Sequence, residues 1–218
     1  LDGVIHSAGV LRDGLAQTKS AEDVSAVLGP KVAGVAALDA ATAALPLSAF
    51  VLFSSTASAL GNVGQTDYAA ANAFLDAFGA WREAEVASGR RSGRTRVVNW
   101  PLWAEGGMQV SGSVLERMHR GAGLIPLPSV AGLAVLDAVV GGDATQVVVV
   151  HGESTRLRRL LKREALPAAQ KTPAPVTTIA PAVAVNTETL EASDLGVRAE
   201  LYILRLLSDA LKLPVERL

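Results

Sequence analysis

The sequence predicts an α/β fold in which helices cover a parallel sheet. Short runs of apolar and β-branched residues recur along the chain: Val4-Ile5-His6, Ala49-Phe50-Val51-Leu52-Phe53, Val97-Val98-Asn99-Trp100 and Val147-Val148-Val149-Val150. Each is long enough for a buried strand and too short for a helix. Between them lie longer, Ala-rich stretches of helical length, which is the pattern of strand-helix-strand crossovers. Half of the 218 residues are hydrophobic and few are charged, so the chain can bury one good-sized domain with something small beside it.

The first strand runs out into Ser7-Ala8-Gly9, small residues that let a ligand approach the backbone. Ser20, followed three residues on by Asp23, is a helix-start signature, and the helix it begins carries Val24, Val27 and Leu28 on one face. Pro30 suits the first turn of a further helix, which would put Lys31 at an N-terminus. The second strand ends in Ser54-Ser55-Thr56, expected to open into a loop. A turn through Gly61 and Gly64 then leads to a helix over residues 66–87, with Thr66 or Asp67 as its cap. After a basic turn a third strand covers residues 95–100, and Pro101 fixes the chain direction just past it. Gly106, Gly107 and Gly112 suggest a mobile lid with a short helix over residues 113–119. A helix over residues 129–140 stops at Gly141-Gly142, a last strand covers residues 146–150, and a short basic helix spans residues 154–165.

The chemistry concentrates around the second strand. On the helix that follows it, Tyr68 and Asn72 are four residues apart and share a face. Ligands of doubly wound sheets bind beyond the carboxyl ends of the strands, so a serine hydroxyl, a phenol and an amide are aimed at one crevice. A tyrosine that gives up a proton near neutral pH must have its pKa, ordinarily about 10, brought down. A nearby ammonium does this, and Lys31 is the candidate.

Phe53-Ser54-Ser55, followed by Tyr68-Ala69-Ala70-Ala71-Asn72-Ala73-Phe74-Leu75-Asp76, resembles the active-site half of a ketoreductase domain from a modular polyketide synthase, a branch of the short-chain dehydrogenase/reductase superfamily. The resemblance implies NADPH-dependent reduction of the 3-oxo group of a carrier-bound polyketide thioester to a 3-hydroxyl. It gives Tyr68, Ser55, Lys31 and Asn72 catalytic roles and assigns Ser7, Ala8, Gly9, Pro101 and Leu102 to the cofactor. Asp13, Leu60 and Gln65 would govern substrate presentation and stereochemistry. Asp13 matches the last acid of the Leu-Asp-Asp motif of B-type enzymes, although Arg12 replaces the middle one, and Leu60 stands where A-type enzymes carry Trp. Both positions favour B-type. The alternatives are a catalytically silent domain kept for structure or carrier docking, and a reductase that also epimerises an α-methyl group.

On this reading the fold is the C-terminal portion of a Rossmann-like parallel sheet with flanking helices, plus a linker and a terminal helix from an all-α carrier domain. Residues 1–157 would be an N-terminally truncated catalytic subdomain and residues 158–192 a Pro- and Ala-rich linker. Residues 193–218 resemble the start of an acyl carrier protein. The main phosphate-binding loop and the serine that bears phosphopantetheine are both expected outside this chain. The expected partners are the acyl carrier protein holding the intermediate and the other synthase domains.

Composition narrows the classes. A formal net charge of −1 leaves no footprint for nucleic acid or an anionic membrane. There is no cysteine, and His6, His119 and His151 are scattered without metal-ligand spacing, so no metal is expected. No signal peptide or membrane-spanning apolar run is evident in the sequence, and a cytoplasmic location is expected.

Overall fold

The computed structural model describes residues 1–108 and 110–162. Its sheet has four parallel strands in chain order: β1 (Gly3–His6), β2 (Ala49–Ser55), β3 (Arg94–Trp100) and β4 (Gln146–Val148). The helices are α1 (Ala21–Thr42), α2 (Thr56–Leu60), α3 (Thr66–Ala87), α4 (Gly112–Ala122), α5 (Ser129–Gly141) and α6 (Ser154–Lys162). This is the α/β architecture expected, with helices on both sides of a parallel sheet. The proposed carrier helix, and the linker beyond residue 162, lie outside the described residues.

The alternation of side chains along the strands builds the layers. Phe50, Leu52 and Val97 pack with Val35 of α1 and with Leu75 and Phe78 of α3, while Val51, Val98 and Trp100 turn to the opposite face and pack with Val139 of α5. At the carboxyl end of the sheet Val24, Val27, Leu28 and Val32 of α1 meet Ala57, Tyr68 and Ala71, so the helix with the tyrosine is seated in a core. Gly79 allows α3 to lie close on the sheet: a Cβ there would come within 2.1 Å of Val97 Cγ2. On the same helix the buried Arg82 pairs with Asp39 of α1 at 2.9 Å and lies over the Phe50 ring.

Several local expectations are corrected. Pro30 does not start a helix: it lies inside α1, which runs unbroken past it and places Lys31 mid-helix. A proline lacks the N–H owed to the carbonyl four residues back, but Val27, Leu28, Lys31, Val32 and Val35 are all buried, and that packing outweighs the missing bond. Ser54 and Ser55 are the last residues of β2, not loop, and Thr56 opens α2. Neither Thr66 nor Asp67 caps α3; Gln65 occupies the cap position, with its side chain engaged elsewhere. The last strand stops at Val148 and the lid helix runs from Gly112 to Ala122, while the expected short basic helix is present as α6. Helix α1 is by length and composition apolar enough to cross a membrane, contrary to the reading of the sequence. Its apolar residues are spent on the core just described.

Candidate active site

The carboxyl end of β2 brings the expected residues together. Tyr68, in the first turn of α3, is 9% exposed and its hydroxyl donates to Met108 Sδ at 3.7 Å. Ser55 and Asn72 face the phenol closely enough to favour its ionised form. Lys31, crossing from α1, places Nζ 5.9 Å from the centre of the Tyr68 ring and donates to the Phe53 carbonyl at 3.0 Å. Ser55 Oγ accepts the Ala57 N–H at 3.1 Å, which leaves its own proton free to donate. Asn72 donates Nδ2 to the Tyr68 carbonyl at 2.7 Å, while its Oδ1 is buried without a donor.

The electrostatics differ from the expectation in one respect. Burial lowers the pKa of Lys31 to about 8, with the Asp76 carboxylate acting in the other direction. Burial raises that of Tyr68, which Ser55 and Asn72 oppose and Asp13 reinforces. The phenol is therefore held above its ordinary value, because desolvation exceeds every favourable contact.

A second set of residues, missed in the sequence, braces this group from behind. Asn99 is fully buried at the end of β3, with Nδ2 about Ser54 Oγ at 3.1 Å, Ser58 Oγ at 2.8 Å and both Asp76 oxygens at 3.0 Å; its two protons are shared among them. Asn99 Oδ1 accepts Gln146 Nε2 at 3.0 Å, and Ser58 donates to Asp76 at 2.7 Å. Ser54 donates to the Asn72 carbonyl at 3.2 Å. One signal could have revealed Asp76: it continues the four-residue spacing of Tyr68 and Asn72 along one helix face. Nothing comparable marks Asn99 or Met108.

Of the residues assigned to stereochemistry, Asp13 and Gln65 meet directly, the amide donating to the carboxylate oxygens at 3.1 and 3.0 Å. Asn62 in turn donates to Gln65 Oε1 at 2.8 Å. Leu60, at the end of α2, is 37% exposed. Ser7 and Ala8 are exposed just beyond β1, and Pro101 and Leu102 are half-buried just beyond β3, so both pairs lie at carboxyl ends of strands flanking β2. A Cβ on Gly9 would come within 3.2 Å of Lys31 Cε.

A parallel sheet presenting a serine at a strand end, a tyrosine on a helix packed behind it and a buried lysine beside the tyrosine ring defines the short-chain dehydrogenase/reductase superfamily. Within it, this chain belongs to the ketoreductase domain family of polyketide synthases, whose KR domain model matches residues 1–105. Polyketide synthase PksN of Bacillus subtilis strain 168 is 40% identical over 173 residues, covering 78% of this chain and 3% of that protein. Polyketide synthase ThaG of Burkholderia thailandensis is 42% identical over 193 residues, covering 88% of this chain and 3% of that protein. A crystal structure of a ketoreductase domain from the bacillaene assembly line superposes with a TM-score of 0.72 at 42% identity, over 74% of this chain and 39% of that one. The chain therefore spans a small part of these synthases and well under half of that solved domain.

Proposed function

We propose that these residues form the catalytic part of a ketoreductase that reduces the 3-oxo group of a polyketide thioester to a 3-hydroxyl. The reductant is NADPH, and the substrate is carried on the phosphopantetheine arm of an acyl carrier protein, among the other domains of a cytoplasmic synthase. The observation that carries this reading is the convergence of Ser55, Tyr68 and Lys31 at the end of β2.

The residues present fit the nicotinamide end of such a cofactor. The backbone at Gly9 lies so close to Lys31 that a side chain there would crowd it, and Ser7 and Ala8 beside it are small and exposed. With Pro101 and Leu102 they would hold the cofactor across the strand ends. Bound NADPH supplies the hydride. Ser55 donates its free proton to the substrate oxygen and orients the carbonyl. Tyr68, kept protonated by burial, transfers its proton to that oxygen as negative charge develops there: the tyrosine O–H bond breaks and the alcohol O–H bond forms. Ser55 and Asn72 stabilise the resulting phenolate, together with the Lys31 ammonium, which is still mostly charged at neutral pH with a pKa of about 8. Asn72 Oδ1, buried and unpaired, is the acceptor available to that ammonium or to a relaying water. Asp13 and Leu60 favour the B-type alcohol configuration.

The test is Tyr68→Phe in a complete ketoreductase domain bearing these residues. Loss of the positioned acid lowers kcat by roughly a hundred- to ten-thousand-fold. KM for a 3-oxoacyl thioester changes little, because the lost interaction acts in the transition state. Full activity in this variant refutes the assignment, and chiral separation of the product tests the configuration.

A further inference from the structure

Next to the site lies a buried charge pair that no step of the proposed reaction uses. Lys19 Nζ is 2.8 Å from Asp67 Oδ2, and the two side chains are only 4% and 2% exposed. The same ammonium donates to the carbonyl of Arg12. The other oxygen of Asp67 accepts the backbone N–H of Tyr68 at 2.9 Å. One residue beyond Arg12, the Asp13 carboxylate takes the Gln65 amide, and the Gly14 N–H donates to the Gly64 carbonyl at 2.9 Å. Residues 12–14 are thus tied to the start of α3 by three separate links, and only the Lys19 bridge is both ionic and buried.

A buried ion pair is poor evidence of a stabilising role, because desolvation offsets much of its attraction; its best-attested use is to fix one arrangement against others. Here the arrangement is that of a loop against the turn bearing the tyrosine. Gln65, which holds the Asp13 carboxylate, is the cap residue of α3 and stands three positions before Tyr68, so the placement of this loop bears on the approach to the phenol. We propose that Lys19 and Asp67 are a positioning pair that sets where Asp13 and Gln65 stand relative to Tyr68, and thereby governs how the oxo group is presented, leaving proton transfer itself untouched. This rests on the reductase reading above.

The test is the double variant Lys19→Met/Asp67→Asn, in a complete ketoreductase domain bearing these residues. It removes both charges together, so no lone charge is left buried, and the new amide oxygen can still accept the Tyr68 N–H. The expected result is a KM for the thioester raised about fivefold or more with kcat within about threefold, since presentation is lost and the acid is not. The minor alcohol isomer increases, and the Gly14 amide exchanges its hydrogen at least about tenfold faster, as a loosened local contact requires. Lys19→Arg alone, which can bridge the same two acceptors with Asp67 intact, keeps all three at the parent values. Unchanged KM and isomer ratio overturn the proposal, as does unchanged exchange at Gly14. A double variant without a folded domain assigns the pair to folding alone and overturns it as well. Should the complete domain bearing these residues show no reduction of a 3-oxoacyl thioester, the reductase reading fails instead, and Gly14 exchange still decides whether the pair positions the loop.

Discussion

Lys31→Met should make the domain more stable and less active. Lys31 is 3% exposed, and its pKa falls from 10.5 to about 8 because burial penalises the ammonium. At about 1.4 kcal/mol for each tenfold loss of proton affinity, carrying the charge costs the folded state about 3 kcal/mol. A lysine with a depressed folded pKa binds its proton more tightly when unfolded. The penalty is therefore complete below pH 8 and is relieved as the pH rises toward 10.5. By this linkage about 3 kcal/mol applies at pH 7 and about 1 kcal/mol at pH 10. Methionine fills similar space without the charge, but it deprives the Phe53 carbonyl of its donor at 3.0 Å, which takes back about 1 kcal/mol. The variant should thus gain about 2 kcal/mol at pH 7 and almost nothing at pH 10, read from urea unfolding of variant and parent side by side. Its kcat should fall, since the cation beside the phenolate is gone. A variant less stable than the parent at pH 7, or an advantage equal at both pH values, would show that this burial does not set the ammonium's cost.

Two further substitutions test the packing that supports the site. Gly79→Ala drives a Cβ to within 2.1 Å of Val97 Cγ2, so α3 must shift off the sheet; unfolding should need less urea, with a loss of about 1–3 kcal/mol at unchanged denaturant slope. Asn99→Ala removes the amide shared by Ser54, Ser58 and Asp76 and leaves those groups buried with fewer partners, at a cost of about 1–3 kcal/mol. Because the carboxylate acting on Lys31 is then less fixed, kcat should fall in the same variant, measurable under conditions where it remains fully folded.

What could be read from the string follows from how far apart the interacting residues are. Ser55 at a strand end, and Tyr68 and Asn72 one turn apart on α3, are local arrangements, and local propensity and period are written into a single sequence. The local chemistry of Pro30 suits a helix start and would set Lys31 in a first turn, but the apolar residues on either side bury α1 as one piece and leave Lys31 mid-helix. The contacts of Asn99 with Ser54 and Asp76, and of Lys19 with Asp67, link residues 45, 23 and 48 positions apart, where no period or spacing signals a partner. Yet these hidden polar contacts fix the placement of the legible residues: Asp76 acts on Lys31, and Asp67 holds the N–H of Tyr68. Buried polar groups tolerate few arrangements once their partners are chosen. A chain could therefore keep Ser55, Tyr68, Asn72 and Lys31 intact and still lose its activity through Asn99 or Asp76. Reductase activity in related chains should then follow this second layer as closely as the motif itself.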